Sequence, residues 1–239
     1  MTQANRIAFQ TFLNTKGAAL KVDGAVGPKT TATMMNLFAN RNASRVTSAD
    51  IDRIATALGA TSKQVRAVSA VESAGGGYLT TGHPKILWER HWFHRRLRQI
   101  IPATGVAGHF VAHPNPGGYT LDADRDGIND SWEKLADGCR SDPVAAFESC
   151  SWGKFQIMGG HWKSLGYRSV FDFAWSMREG ELGHYTALMK FIQTNNLTGP
   201  LRRLSTNAAT NEAFARGYNG PAFKKNEYHN KLADEMRKP

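Results

Sequence analysis

Glu72 closes a helix-like stretch, Thr61-Ser-Lys-Gln-Val-Arg-Ala-Val-Ser-Ala-Val-Glu-Ser73, which runs straight into Ala74-Gly-Gly-Gly-Tyr-Leu79. A carboxyl held at a helix end behind apolar residues can keep its proton near neutral pH. The glycine run beside it would let a long polymer pass close by. Protonating the leaving oxygen of a glycosidic bond requires such a carboxyl group. The competing reading is a solvated acid near a helix terminus, and the rest of the chain must decide between them.

The sharpest local motif is Asp122-Ala-Asp-Arg-Asp-Gly-Ile-Asn-Asp-Ser-Trp-Glu133. Asp122, Asp124, Asp126, Asp130 and Glu133 stand at positions one, three, five, nine and twelve of an EF-hand loop. Gly127 is at position six, and the Ile128 carbonyl is expected at position seven. These acids would repel one another without a cation, so a structural Ca2+ is expected. Asn129 replaces the usual aliphatic residue at position eight, and Gly117-Gly-Tyr119 precedes the loop where a helix would stand. A lone loop that stiffens its surroundings fits better than a paired EF-hand. A solvated acidic loop is the alternative.

The histidines His83, His91, His94, His109 and His113 crowd one region, yet no HExxH is present. His91-Trp-Phe-His94 has the wrong spacing for two zinc ligands one helical turn apart. They read as ordinary surface or hydrogen-bonded side chains, and no cofactor is expected for the chemistry. The two cysteines, Cys139 and Cys150, form no CxxC pair. They read as two buried thiols or as a disulfide closed after release into an oxidising space.

With 239 residues, 41% hydrophobic content and nine prolines, the chain can bury a good core and is not disordered. No apolar run approaches the roughly eighteen residues of a membrane span, and Met1-Thr-Gln-Ala-Asn-Arg6 lacks the apolar region of a signal peptide. A soluble chain made in the cytosol is expected, without stable membrane insertion. The formal charge of +10 points to an anionic partner. The basic residues are scattered, densest at Arg90, Arg95, Arg96 and Arg98 and without a basic-aromatic stripe, which argues against nucleic acid.

These residues need elements to position them. Ile7–Leu13 and Lys29–Phe38 have helical apolar spacing and flank the turn residues Asp23-Gly24 and Gly27-Pro28. The stretch resembles the peptidoglycan-binding-domain signature FQxxL…VDGxxGPxT, with Asp23, Gly24, Gly27 and Thr30 at the family's positions. A wall-binding module over residues 1–42 is therefore expected; a helical hairpin packed on the main domain is the alternative. After a polar linker, Ser48 is placed to cap a helix to Leu58, and Thr61 with Gln64 makes a capping box for the helix bearing Glu72. Residues 75–89 read as a small β-hairpin turning at Gly82-His-Pro84, with Ile86-Leu-Trp88 returning. Residues 90–100 read as helix and 101–143 as loop-rich. Further helical patterns cover 143–158, 170–194, 207–217 and 224–236. The expected fold class is mainly α, a helical domain over 47–239 with one small β element plus the small helical module.

Three separated motifs then align: Ala70-Val-Glu-Ser-Ala-Gly-Gly-Gly-Tyr78, Ser149-Cys-Ser-Trp-Gly-Lys-Phe-Gln-Ile-Met-Gly159 and Phe214-Ala-Arg-Gly-Tyr-Asn-Gly-Pro221. Together they resemble the lysozyme-like muramidases and lytic transglycosylases. Lys85-Ile-Leu-Trp-Glu-Arg-His-Trp-Phe93 narrows the resemblance to the phage endolysin N-acetylmuramidase family. The resemblance implies a lysozyme-type α+β fold and hydrolysis of the β-1,4 bond between N-acetylmuramic acid and N-acetylglucosamine in peptidoglycan. Glu72 matches the general acid, with Val68, Val71 and Tyr78 near enough in sequence to supply apolar surroundings. Glu89 matches a second acid that activates water or stabilises an oxocarbenium-like charge; an ion pair with Arg90, Arg95 or Arg96 is the alternative. Tyr78, Gln156, Tyr218 and Asn219 are expected to border the sugar cleft through hydrogen bonds and ring stacking. Trp152 reads as core.

The expectation is an endolysin that acts as a monomer. It would accumulate in the host cytoplasm and reach the cell wall after the membrane is opened, aided by attraction to the anionic envelope. A lytic transglycosylase that forms 1,6-anhydro ends from the same Glu72 is the nearest rival, and a non-catalytic wall-binding protein is the more distant one.

Overall fold

The computed structural model describes residues 2–72, 76–99 and 111–239. The chain divides into two compact units, Met1–Asn42 with Tyr78–Arg178, and Ala43–Gly77 with Glu179–Pro239. We call them unit 1 and unit 2.

Unit 1 begins with α1 (Thr2–Thr15) and α2 (Pro28–Phe38). The turn between them is built by the motif residues. The Gln10 side chain accepts from the Gly24 amide at 2.7 Å and donates to Asp23 Oδ1 at 3.1 Å. Gly24 has φ +75°, a backbone conformation that favours glycine; a Cβ there would have only the movable end of the Gln3 side chain to displace. Gly27 precedes Pro28 at the start of α2, and Thr30 is buried.

Residue 42 does end the first segment of unit 1, but that segment shares its unit with Tyr78–Arg178. Phe38, fully buried, meets Trp132, Phe147, Trp152 and Trp175 at ring-centroid distances of 5.3–6.2 Å. Phe9 meets Phe147 at 5.7 Å and Phe171 at 5.2 Å. Asn5 and Arg6 donate to Asp142 and the Ser141 carbonyl. The first two helices therefore complete an aromatic core whose other half lies about a hundred residues downstream. Burial of Phe38 alone is worth roughly 1.5–3 kcal/mol.

The β element is a three-stranded antiparallel sheet in the order β1-β2-β3, with β1 (Ile86–Trp88), β2 (Cys150–Trp152) and β3 (Ile157–Met158). Ile86 pairs with Trp152 and Trp88 with Cys150. The expected hairpin over 75–89 is thus corrected. Its turn exists, with Tyr78 bridging Pro84 and the Gly82 amide donating to the Leu79 carbonyl, but its return arm pairs with β2. The expected helix over 143–158 is corrected too. α7 (Pro143–Glu148) stops, and the following residues form β2, a turn and β3. Gly153 at φ +71° and Gln156 at φ +46° make that turn. The apolar residues of that stretch, interrupted by Glu148, Ser151 and Lys154, keep no single period that separates helix from strand, which is why the pattern misled.

α5 (Arg90–Leu97) follows β1 directly. α6 (Asp130–Ser141), capped by the Asn129 side chain, occupies part of the segment expected to be loop. Ile100 of the expected helix and residues 101–110 of the expected loop lie outside the described residues. α8 (Val170–Glu179) ends at Gly180, where the expected single helix over 170–194 breaks.

The regular elements among the described residues of unit 2 are all helical. They include α3 (Ser48–Leu58), α4 (Ser62–Glu72), α9 (Glu181–Thr194), α10 (Thr198–Arg202), α11 (Ala208–Asn219) and α12 (Tyr228–Arg237). Thr47, one residue before the expected cap, closes a capping box with Asp50 on α3. On α4 the expected box is present: the Thr61 amide donates to Gln64 Oε1 at 2.9 Å, and the Gln64 amide donates to Thr61 Oγ1 at 3.2 Å. The Gln64 side chain also donates to the Arg202 and Leu204 carbonyls, tying the start of α4 to the segment after α10. The Ser44–Gly180 bridge and the Glu181 amide on the Ser44 carbonyl set the start of α9. Ile54, Leu58, Val65, Val68, Leu188, Phe214 and Leu232 form the core, and α4 packs against α12 and α3. Among the described residues, no helix is long and apolar enough to cross a membrane.

Candidate active site

Glu72 is the last residue of α4 and is half-buried; its Oε1 is buried with no hydrogen-bond partner among the described residues. Burial raises its pKa above the ordinary carboxyl range, and the neighbouring Tyr228 hydroxyl opposes that shift. The negative end of the α4 dipole works in the same direction as burial. Tyr228, on α12, is buried, and its hydroxyl, like that of Tyr218 on α11, is buried without a partner among the described residues. Burial first, and the charge of Glu72 second, push both phenols well above their ordinary range, so both remain donors. The Tyr218 ring stacks at 5.6 Å on Phe214 and at 6.0 Å on Tyr228. The pocket is thus a carboxyl set among aromatic rings with two protonated hydroxyls. A group so placed can give up a proton at neutral pH. Residues 73–75 of the adjoining glycine run lie outside the described residues.

Glu89, in unit 1, occupies the residue between β1 and α5, with its amide donating to the Ser149 carbonyl. Its carboxylate accepts from the Tyr119 hydroxyl at 2.7 Å and faces His91 Nδ1 at 3.3 Å. The arginine pairing considered from the sequence does not form. Arg90 donates to the Asn115 and Pro116 carbonyls, Arg96 pairs with Glu148 at 3.1 Å, and Arg95 covers the Trp92 ring.

The expected sugar contacts divide between the units. In unit 1, Tyr78 donates its hydroxyl to the Met177 carbonyl at 2.7 Å. The Gln156 amide is taken up inside its own turn, accepting from Ser151 Oγ and donating to the Gly153 carbonyl, each at 2.7 Å. Trp152 is fully buried and donates to the Phe147 carbonyl, as the core reading required. In unit 2, Asn219 ends α11 and accepts from Asn226. Sequence reasoning missed Tyr228, which follows the Tyr-Asn-Gly segment closely, and Tyr119 and His91, whose meeting with Glu89 no local spacing announces.

The acidic loop gathers its carboxylates into two overlapping groups. Oxygens of Asp122, Asp124 and Asp130 lie within 4.8 Å of one another, as do those of Asp124, Asp126 and Glu133. The Gly127 amide donates to Asp122 Oδ2, and the Ile128 amide to Asp126 Oδ1. Burial and then the charges of Asp126, Asp124, Asp130 and Asp122 raise the pKa of Glu133. Hard oxygen donors of this number suit Ca2+. Cys139 and Cys150 are buried free thiols, each pushed up by burial.

The family model for N-acetylmuramidase matches residues 61–238, which contain both acids and all three aligned motifs. The chain belongs to the N-acetylmuramidase family. A crystal structure of an endolysin from the Burkholderia phage AP3 is similar across nearly the whole chain. It shares 31% sequence identity, covers 97% of this chain and 94% of its own, and superposes with a TM-score of 0.71. No curated protein sequence matched. This muramidase-family chain is therefore a glycosidase whose substrate is peptidoglycan. Its mainly helical, lysozyme-like fold with one small sheet agrees with that assignment.

Proposed function

We propose that the protein is a phage endolysin that hydrolyses the β-1,4 bond between N-acetylmuramic acid and N-acetylglucosamine, with Glu72 as general acid. The observation that carries this reading is the aromatic, otherwise uncharged pocket around Glu72, which favours the protonated carboxyl. Glu72 protonates the leaving glycosidic oxygen as its bond to the anomeric carbon breaks. Water's oxygen then bonds to the anomeric carbon and gives up a proton, and the Glu72 carboxylate is reprotonated from solvent before the next cycle. Glu89 is the second acid of this reading: Tyr119 and His91 fix its carboxylate, ready to activate water or face the oxocarbenium-like charge. Tyr78, Gln156, Tyr218 and Asn219 are the proposed sugar-contacting residues, Gln156 and Tyr218 acting through the shape of turn and pocket. Ca2+ in the Asp122–Glu133 loop is proposed to be structural. The protein would be made in the host cytoplasm and meet its substrate once the membrane is opened.

Mass spectrometry of fragments from purified peptidoglycan, comparing the wild type with Glu72→Gln, tests the reading. Reducing muramic ends from the wild type alone are expected. Anhydro-muramic ends would make the protein a lytic transglycosylase. Cuts confined to the peptides, or full activity in Glu72→Gln, would overturn the assignment.

A further inference from the structure

Four buried side-chain polar atoms of unit 2 lack hydrogen-bond partners among the described residues: Glu72 Oε1, the hydroxyls of Tyr218 and Tyr228, and His229 Nδ1. Buried polar groups are nearly always paired, so the meeting of Glu72, Tyr218 and Tyr228 needs a reason. The groups that face Glu72 are Tyr228 from α12 and Tyr218 from α11; among the described residues, no charged side chain shifts its titration. Tyr228 is 3% exposed, and Tyr218 and Phe214 stack in series behind its ring, so it has little room to turn away.

We propose that Tyr228 is a positioning residue for Glu72, donating its hydroxyl to the carboxylate as the proton leaves. The inference deepens the muramidase reading and rests on it. While Glu72 is protonated it needs no such donor, and its own hydroxyl is free for the glycosidic oxygen. When that proton passes to the leaving group, the new anion sits in an aromatic pocket with no cation beside it. A charge-assisted hydrogen bond from Tyr228 is then worth more than any bond it makes in the ground state. The phenol keeps its proton throughout and only its acceptor changes. Tyr218 supports the ring.

The test is Tyr228→Phe, assayed on purified peptidoglycan across pH. Removing a donor to the anion raises the pKa of Glu72. The alkaline limb of the profile should therefore move up by about half a unit to one unit, with kcat down about tenfold and KM nearly unchanged. An unmoved limb in a folded variant overturns the proposal, as does a limb moved by Tyr218→Phe and not by Tyr228→Phe. Should Tyr228→Phe fail to fold, 13C NMR of ring-labelled tyrosine in the parent decides. The Tyr228 Cζ resonance should follow the titration of Glu72 and lose that step in Glu72→Gln; a resonance indifferent to Glu72 overturns the proposal. Full activity in Glu72→Gln would defeat the general-acid reading, whereas an inactive Glu72→Gln beside an unmoved limb in Tyr228→Phe would defeat only this inference.

Discussion

Two carboxyl groups in this protein are handled in opposite ways. In unit 2, Glu72 ends a helix among stacked aromatic rings, with one oxygen buried and unpaired among the described residues. In unit 1, Glu89 is gripped by a phenol at 2.7 Å and faced by an imidazole at 3.3 Å. The first environment favours the acid form and leaves its proton available; the second orients a carboxylate. Two carboxyl groups in environments this different are suited to different chemical tasks, the premise of the proposed roles.

The sharpest break of this comparison is Glu72→Gln. It should lower kcat by about a thousandfold, as loss of a general acid does, measured by release of reducing ends. It should also stabilise the fold at high pH. A carboxyl whose pKa is raised by folding contributes fully below its unfolded value, and that contribution is lost as the pH rises through the raised value. The melting temperatures of wild type and Glu72→Gln should therefore coincide in acid and separate, with the variant higher, above the ordinary carboxyl range. Parallel curves would mean that Glu72 is not buried as described.

Next in size is the dependence of unit 1 on its first helices. Phe38→Ala should cost about 3–5 kcal/mol in urea denaturation, because Phe38 meets four other aromatic rings. A small loss there would favour a separable N-terminal module. Glu89→Gln should lower kcat by about a hundredfold and leave the alkaline limb set by Glu72 in place. If stability moves and kcat does not, Glu89 only braces the chain. The smallest expected effect is that of Ca2+. At about a hundred times its Kd it should stabilise by about 2.7 kcal/mol, seen as a rise in Tm that a chelator reverses and Glu133→Gln removes. Activity at saturating Ca2+ should hardly change.

Several parts of the protein are legible in local chemistry alone. The Thr61/Gln64 capping box, the Asp23-Gly24 turn and the EF-hand-like spacing depend on residues within about a dozen positions of one another, so their types suffice. Glu72 is readable for the same reason: helix end, apolar neighbours and glycine run are all contiguous. Other features are not. The run from Pro143 to Met158 mixes apolar with polar residues such as Glu148, Ser151 and Lys154 in no clean period, so nothing local marks the end of α7 or the pairing of Cys150–Trp152 with Ile86–Trp88. The break at Gly180 depends on Ser44, far away in the chain.

The sequence by itself therefore determined the lysozyme-like helical class and the composition of the acidic loop, and it nominated the two acids, since each is written in local spacing. Only the tertiary structure decided that α1 and α2 complete the aromatic core of unit 1. It alone put Tyr119 and His91 on Glu89, and Tyr228 beside Glu72. Such pairings join residues on separate elements. They arise from burying rings and pairing polar groups across the fold, which no local pattern of residue types encodes.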